Sequence, residues 1–132
     1  MQQRLELVKI FNAKGATGTT TAFPIADWQH VFLSLFTSGS ANFTMNIKVS
    51  HSITAPDFTA AATPSNQWSY AQIKPTTTNT AVDGWASMIT TAGTDIIMNY
   101  TLNLDGARWI AATITVYAAW AITLGVSAKN NQ

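Results

Sequence analysis

The sequence contains no cysteine, which excludes disulfide bonds and thiolate metal sites. Charged side chains are also scarce: they make up 10% of the chain, whereas a typical soluble domain has about 25%. Hydrophobic residues reach 47%, so many Thr, Ser and Asn side chains, or neighbouring subunits, must cover the apolar surface. Because few ions must be desolvated, low charge favours packing of one copy against another. We therefore expect a homo-oligomer.

Basic runs and long apolar runs are absent as well. The seven Lys and Arg residues are scattered and the formal net charge is +1, so no stretch is suited to tracking a phosphate backbone. No apolar run approaches the roughly 18 residues of a membrane span, and the N-terminal segment lacks the long apolar region of a secretory signal. We expect neither nucleic acid nor a membrane as a partner, and we expect the chain to stay in the cytoplasm until assembly.

Residue patterns for catalysis or metal binding are missing too. Each aspartate falls at a turn or strand start, where a carboxylate bonds local backbone amides, and Glu6 is the only glutamate. His30 and His51 are the only histidines and have no acidic residue at ligand spacing, while a metal site needs three or four ligands. Lys14 and Gly15 lack the spacing of a phosphate-binding loop. The sequence predicts a non-enzymatic protein with no catalytic residue, metal site or cofactor.

Alternating side-chain patterns dominate what is present. In Asn42 to Ser52, apolar residues alternate with polar ones, which predicts a strand with one buried and one wet face. In Asp27 to Thr37, apolar residues occupy both parities, which predicts a central strand covered on each face, or on one face by another subunit. The short Ser38 to Ser40 connection predicts a hairpin of these two strands. A second hairpin is predicted around Ala118 to Trp120.

Further strand patterns complete an all-β fold. They occur in Arg4 to Phe11, Trp68 to Ile73 and Asp95 to Leu102, and the total is about seven or eight short strands. This predicts an antiparallel β-sandwich that is jelly-roll-like. Residues 1 to 11 are predicted to be an N-terminal strand, or an arm that pairs with a neighbouring subunit, and residues 12 to 132 a single sandwich domain.

Three segments resemble those of a known class of proteins. They are SANFTMNIKVSHS, APDFTAAATPSNQWSYAQI and LDGARWIAATITVY, and all three lie in the part of the chain from Val31 onward. They are similar to segments of small β-rich virion structural proteins of tailed bacteriophages, of the capsid decoration (cement) or tail-associated type. Ala118-Ala119-Trp120 stands where those proteins commonly have a turn with glycine. The motifs encode strands and turns, so the resemblance implies a fold and a virion location.

The resemblance also implies a protein that acts by assembling. Our leading hypothesis is a capsid decoration (cement) protein, with a trimer as the favoured oligomer, that bridges subunits of the major capsid protein and stabilises the shell. One alternative is a tail or neck adaptor or a fibre-base protein. The other is a carbohydrate-binding sandwich that uses exposed aromatic residues.

The expected partner contacts lie in the N-terminal segment and in the long loop Ile53 to Gln67, whose length is typical of a functional or partner-bound loop. A turn signal at Asp83-Gly84 marks a third exposed position. From these we predict five interface residues: Leu5, Leu7, Phe11, Phe58 and Trp85. We assign Trp109 and Trp120 to the core or to subunit contacts.

Overall fold

The structure is a computed structural model that describes residues 3–77, 88–119 and 121–130. Within these ranges the chain forms eleven β-strands, and no helix long and apolar enough to cross a membrane occurs in them. Seven of these strands have six residues or more, and four have two or three. In chain order they are β1 (Arg4–Lys14), β2 (Gly18–Thr19), β3 (Phe23–Pro24), β4 (His30–Thr37), β5 (Ser40–Ser50), β6 (Ser69–Tyr70), β7 (Ile73–Pro75), β8 (Met88–Thr94), β9 (Ile97–Leu102), β10 (Trp109–Ala119) and β11 (Ile122–Lys129).

Two sheets pack face to face. The five-stranded sheet has the order β1-β11-β4-β9-β7, and the six-stranded sheet has the order β2-β10-β5-β6, with β3 also pairing with β10 and β8 with β5. These pairings are antiparallel. The arrangement confirms the predicted all-β class and the antiparallel β-sandwich.

The hydrophobic core lies between the sheets. The inward side chains of β4 and β5 are at most 5% exposed and belong to one cluster: Val31, Leu33, Leu35, Phe43, Met45, Ile47 and Val49. Full burial of such a side chain contributes about 1.5 to 3 kcal/mol. The alternation of Asn42 to Ser52 therefore identified the buried face of β5 correctly.

Neither predicted hairpin is present, because the strands on either side of each connection lie in opposite sheets. β4 pairs with β11 and β9, whereas β5 pairs with β10, β6 and β8. Likewise β10 and β11 do not pair with each other within the described residues. From Thr37 to Ser40 the chain makes three Cα steps, which reach about 11 Å at most, enough to cross the roughly 10 Å between packed sheets. The prediction failed because alternation identifies a strand's inward face but does not identify its neighbour.

Hydrogen bonds join the β4–β5 connection to the β8–β9 connection, which also crosses between the sheets. Thr37 N donates to Ile96 O at 3.0 Å, and Ile96 N donates to Thr37 Oγ1 at 2.9 Å. Asp95 N donates to Gly39 O at 2.9 Å, and Gly39 N donates to Asp95 Oδ1 at 2.8 Å. Asp95 has a φ of 50° and Gly39 a φ of 67°, so both residues adopt the left-handed backbone conformation.

Replacing Asp95 by Ala should lower the free energy of unfolding by about 1 to 2 kcal/mol. Alanine offers no acceptor to the Gly39 N–H and adopts a positive φ less readily than aspartate. Asn is the matched control, because it keeps an acceptor and tolerates this conformation, and it should cost less. Urea denaturation of the three proteins measures the effect. An alanine variant as stable as the wild type would show that Asp95 does not hold the two connections together.

Candidate interaction surface

The outward face of β4 carries apolar side chains in addition to those of the core. Val31, Leu33 and Leu35 point inward, so strand alternation directs Phe32 and Phe36 outward, where both are half-buried. This strand is central in its sheet, as the both-parity pattern predicts. The alternative that the pattern left open, cover of one face by another subunit, stays a prediction.

The pairing register extends this face across three neighbouring strands. Three cross-strand rows of uncharged residues result: Thr123-Phe36-Ile97, Gly125-Ser34-Asn99 and Ser127-Phe32-Thr101. We call these rows the outer sheet face. Ile97 is 71% exposed, although burial of an isoleucine side chain is energetically favourable. The outer sheet face therefore exposes apolar surface.

Leu7 adds to the outer sheet face from the edge strand β1. It is 42% exposed, and its side chain lies over Gly125 of β11. A Cβ at Gly125 would overlap the Leu7 side chain, so a larger residue at this position would require Leu7 to move. The β1 strand shifts register between Leu5 and Val8 relative to β11, and Leu7 falls within that irregularity.

Basic residues stand around the outer sheet face. The strands of this sheet contain five of the chain's seven Lys and Arg residues but only one of its six carboxylates, Glu6. Lys9 pairs with Gly125, Lys74 with Thr101, and Arg4 with Lys129. An uncharged, partly apolar centre with charges at its margin is typical of protein interfaces.

The structure separates the predicted interface residues. Leu7 lies on the outer sheet face, whereas Leu5 is half-buried against the core and Phe11, at 5% exposure, belongs to it. Phe58 is 2% exposed, so its side chain is covered within the chain. Trp85 lies outside the described residues. Of the four described residues, Leu7 is thus the one with substantial exposed apolar surface.

The long loop Ile53 to Gln67 folds back over the six-stranded sheet. Lys48 Nζ donates to Phe58 O at 2.9 Å and lies 4.1 Å from the centre of the Trp68 ring, while Ser50 Oγ donates to Gln67 O. Lys48 is 8% and Ser50 1% exposed. The predicted wet face of β5 is therefore wrong for its C-terminal half, because the loop covers these polar residues and supplies their hydrogen-bond acceptors.

The loop has hydrogen bonds of its own. Asp57 Oδ1 accepts from Thr59 N at 2.9 Å, and Asn66 bonds both the N–H and the carbonyl of Asp57, at 2.7 and 2.8 Å. The hydrogen bonds from the Thr59 hydroxyl and backbone N–H lower the pKa of the Asp57 carboxyl. These contacts give the loop a defined shape without a partner.

An open depression of about 400 Å³ lies between the loop and the end of β5, and Trp68, His51 and Gln67 contribute to its lining. The Lys48 ammonium lies over the Trp68 ring, and the Tyr70 ring packs against it in a T-shaped arrangement with 5.4 Å between the ring centres. The Trp68 ring therefore has contacts within the chain. His51 follows β5 and bonds Asp105 O at 2.8 Å, whereas His30 lies in the other sheet. In the described part of the chain no three metal-ligating residues form a group.

The fold is an antiparallel β-sandwich, and the three central rows on the outward side of its five-stranded sheet carry no charge. The fold is similar to that in the crystal structure of YomS, a protein derived from the SPBc2 prophage, with a TM-score of 0.70. The similarity covers 98% of this chain and 96% of that chain, at 8% sequence identity. At this identity the likeness shows a common fold. No protein-family model matches the sequence, and no curated protein matches it either.

Proposed function

We propose that the chain is a non-enzymatic structural protein of a phage virion, and specifically a capsid decoration (cement) protein that bridges major capsid subunits. The observation that carries the proposal is the outer sheet face. It leaves Phe32, Phe36 and Ile97 partly exposed on a sheet whose inner face is already filled by the core. Exposed apolar side chains grouped on one sheet face are a feature of sites of protein interaction.

The fold supports a phage relationship for this chain. The prophage-derived protein YomS has a similar fold over nearly its whole length. A jelly roll is part of the proposal: its eight strands would be β1-β11-β4-β9 in one sheet and β2-β10-β5-β8 in the other, with β3, β6 and β7 as additions. Double-sheet jelly rolls are common in viral capsid proteins.

The size of the outer sheet face bears on how such a protein would bind. The five strands of this sheet have between three and eleven residues. At about 3.4 Å per residue and a strand spacing of about 4.8 Å, their whole outward side, which includes the outer sheet face, presents roughly 600 Å². A standard interface buries about 800 Å² per partner. One face alone would bind modestly, and a trimer that engages several capsid subunits together would bind far more tightly through avidity. This argument supports the proposed homotrimer.

The test of the proposed function is the copy number of the chain in purified phage particles, measured by quantitative mass spectrometry against the major capsid protein. A decoration protein should be present at a ratio near one per capsid subunit. A handful of copies per particle would favour the alternative of a tail or neck adaptor or a fibre-base protein. No copies at all would refute the virion proposal.

A further inference from the structure

We propose that the outer sheet face binds a protein surface that has an apolar centre and an acidic margin, and that this surface is not a second copy of the chain. The inference rests on the proposed function, since it names the chemistry of the capsid surface that the chain would contact. It depends on the charge distribution around the outer sheet face and on the character of its centre.

The charges around the outer sheet face are unbalanced. The chain as a whole is nearly neutral, with seven basic and six acidic residues. Four basic residues, Arg4, Lys9, Lys74 and Lys129, stand at the margin of this sheet, whereas Lys14 of β1 extends to Gly18 of the other sheet. Glu6 is the one carboxylate in the strands of this sheet. Lys9 and Lys74 stand at opposite edges, and Lys129 stands at the end where it pairs with His30. A partner with carboxylates at matching positions would be attracted and oriented by this margin.

A second copy of the chain does not supply that complement. Two outer sheet faces brought together would place basic margins opposite each other, with one Glu6 per copy to offset them. Like charges that meet across an interface oppose association. The contacts of a homotrimer must therefore lie on other surfaces, and the outer sheet face is left for a different protein.

The centre of the outer sheet face favours a protein over a nucleic acid. Nucleic acid is held mainly through phosphate contacts from Lys and Arg, whereas the three central rows contain no charged residue. Exposed Ile97 and the half-buried Phe32 and Phe36 are suited to apolar side chains of a protein.

The test uses particles purified from a phage in which the chain has been deleted, mixed with the purified chain and sedimented. Wild-type chain should bind, with an affinity that falls as salt is raised. Ile97→Glu should weaken binding at least tenfold, because it places a like charge against an acidic partner within an apolar contact. Lys74→Glu should weaken binding and reduce its salt dependence. Ile53→Glu is the matched control: Ile53 is 82% exposed on the long loop, and this variant should bind as the wild type does.

The other outcomes distinguish failure of this inference from failure of the proposed function. If the wild type binds and Ile97→Glu binds equally, the inference is overturned while the proposed function stands. If the wild type does not bind deletion particles, the proposed function fails and the inference fails with it. If Lys74→Glu left binding unchanged, the inference that the partner has an acidic margin would be overturned. A wild-type dimer seen by analytical ultracentrifugation and lost in Ile97→Glu would identify a second copy as the occupant. Binding to duplex DNA that is lost in Lys74→Glu, with particle binding unchanged, would identify nucleic acid.

Discussion

Replacing Phe58 by Ala should lower the free energy of unfolding by about 3 kcal/mol. The Phe58 side chain is 2% exposed even though it belongs to a loop, and its carbonyl accepts the Lys48 hydrogen bond. Alanine would leave a cavity, and the hydrogen bonds between Asp57 and Asn66 limit how far the loop can collapse into it. Chemical denaturation monitored by tryptophan fluorescence measures the loss.

The matched control is Ile53→Ala in the same loop. Ile53 is 82% exposed, so its truncation should change stability by less than about 0.5 kcal/mol. The pair also tests the sequence-based assignment of Phe58 to a partner interface. If Phe58→Ala kept full stability and lost particle binding, Phe58 would be a contact residue and would not anchor the loop.

The covering of β5 by this loop could not be predicted from the sequence. Polar residues alternate with apolar ones in Asn42 to Ser52, and such alternation normally indicates a solvated face. Burial of Lys48 and Ser50 depends on carbonyl acceptors at Phe58 and Gln67, ten and seventeen residues away along the chain. No local pattern encodes these pairings, so the inward face was predictable and the cover on the outward face was not.

The pairing partners of the strands could not be predicted from the sequence for a related reason. Trp68 to Ile73 reads as one strand, but the structure divides it between β6 in the six-stranded sheet and β7 in the five-stranded sheet. A connection of two residues can turn within a sheet or cross to the other, and both choices bury the same inward side chains. Here the two connecting residues bond to distant parts of the chain: Ala71 N donates to Ile47 O of β5, and Asn103 N donates to Gln72 O, both at 2.9 Å.

The outer sheet face was partly visible in the sequence. Apolar residues on both parities of Asp27 to Thr37 had already indicated that one side of this strand needs a cover. Ile97 carried no such signal, because it shares one face of its strand with Asn99 and Thr101, and that face reads as polar. Only the register, which sets Ile97 opposite Phe36, joins it to the apolar residues of β4.

Replacing Lys48 by Ala should lower the free energy of unfolding by about 2 to 4 kcal/mol. The change removes an aliphatic stem that is buried beneath the loop, and it removes the donor to Phe58 O. Lys48→Met is the matched variant, since it keeps a stem of similar length and loses only the ammonium. It should cost about 1 kcal/mol, because loss of the hydrogen bond is offset by relief of a buried charge. Equal losses in the two variants would show that the stem does not contribute.

The wild type and the Lys48→Met variant should also differ in how their free energy of unfolding depends on pH. Burial lowers the pKa of the Lys48 ammonium below its ordinary value of 10.5, while the Trp68 ring and the Phe58 carbonyl favour the charged form and limit the shift. Between the lowered pKa and 10.5, unfolding takes up a proton, so this group makes the wild type more stable as pH rises. Burial raises the pKa of Tyr100. Above its ordinary value of 10.0 this group lowers stability as pH rises, but the effect is common to both proteins.

The stability of the wild type relative to Lys48→Met should therefore rise with pH up to 10.5, as measured by urea denaturation at several pH values. A constant difference would mean that the ring and the carbonyl fully compensate the buried ammonium.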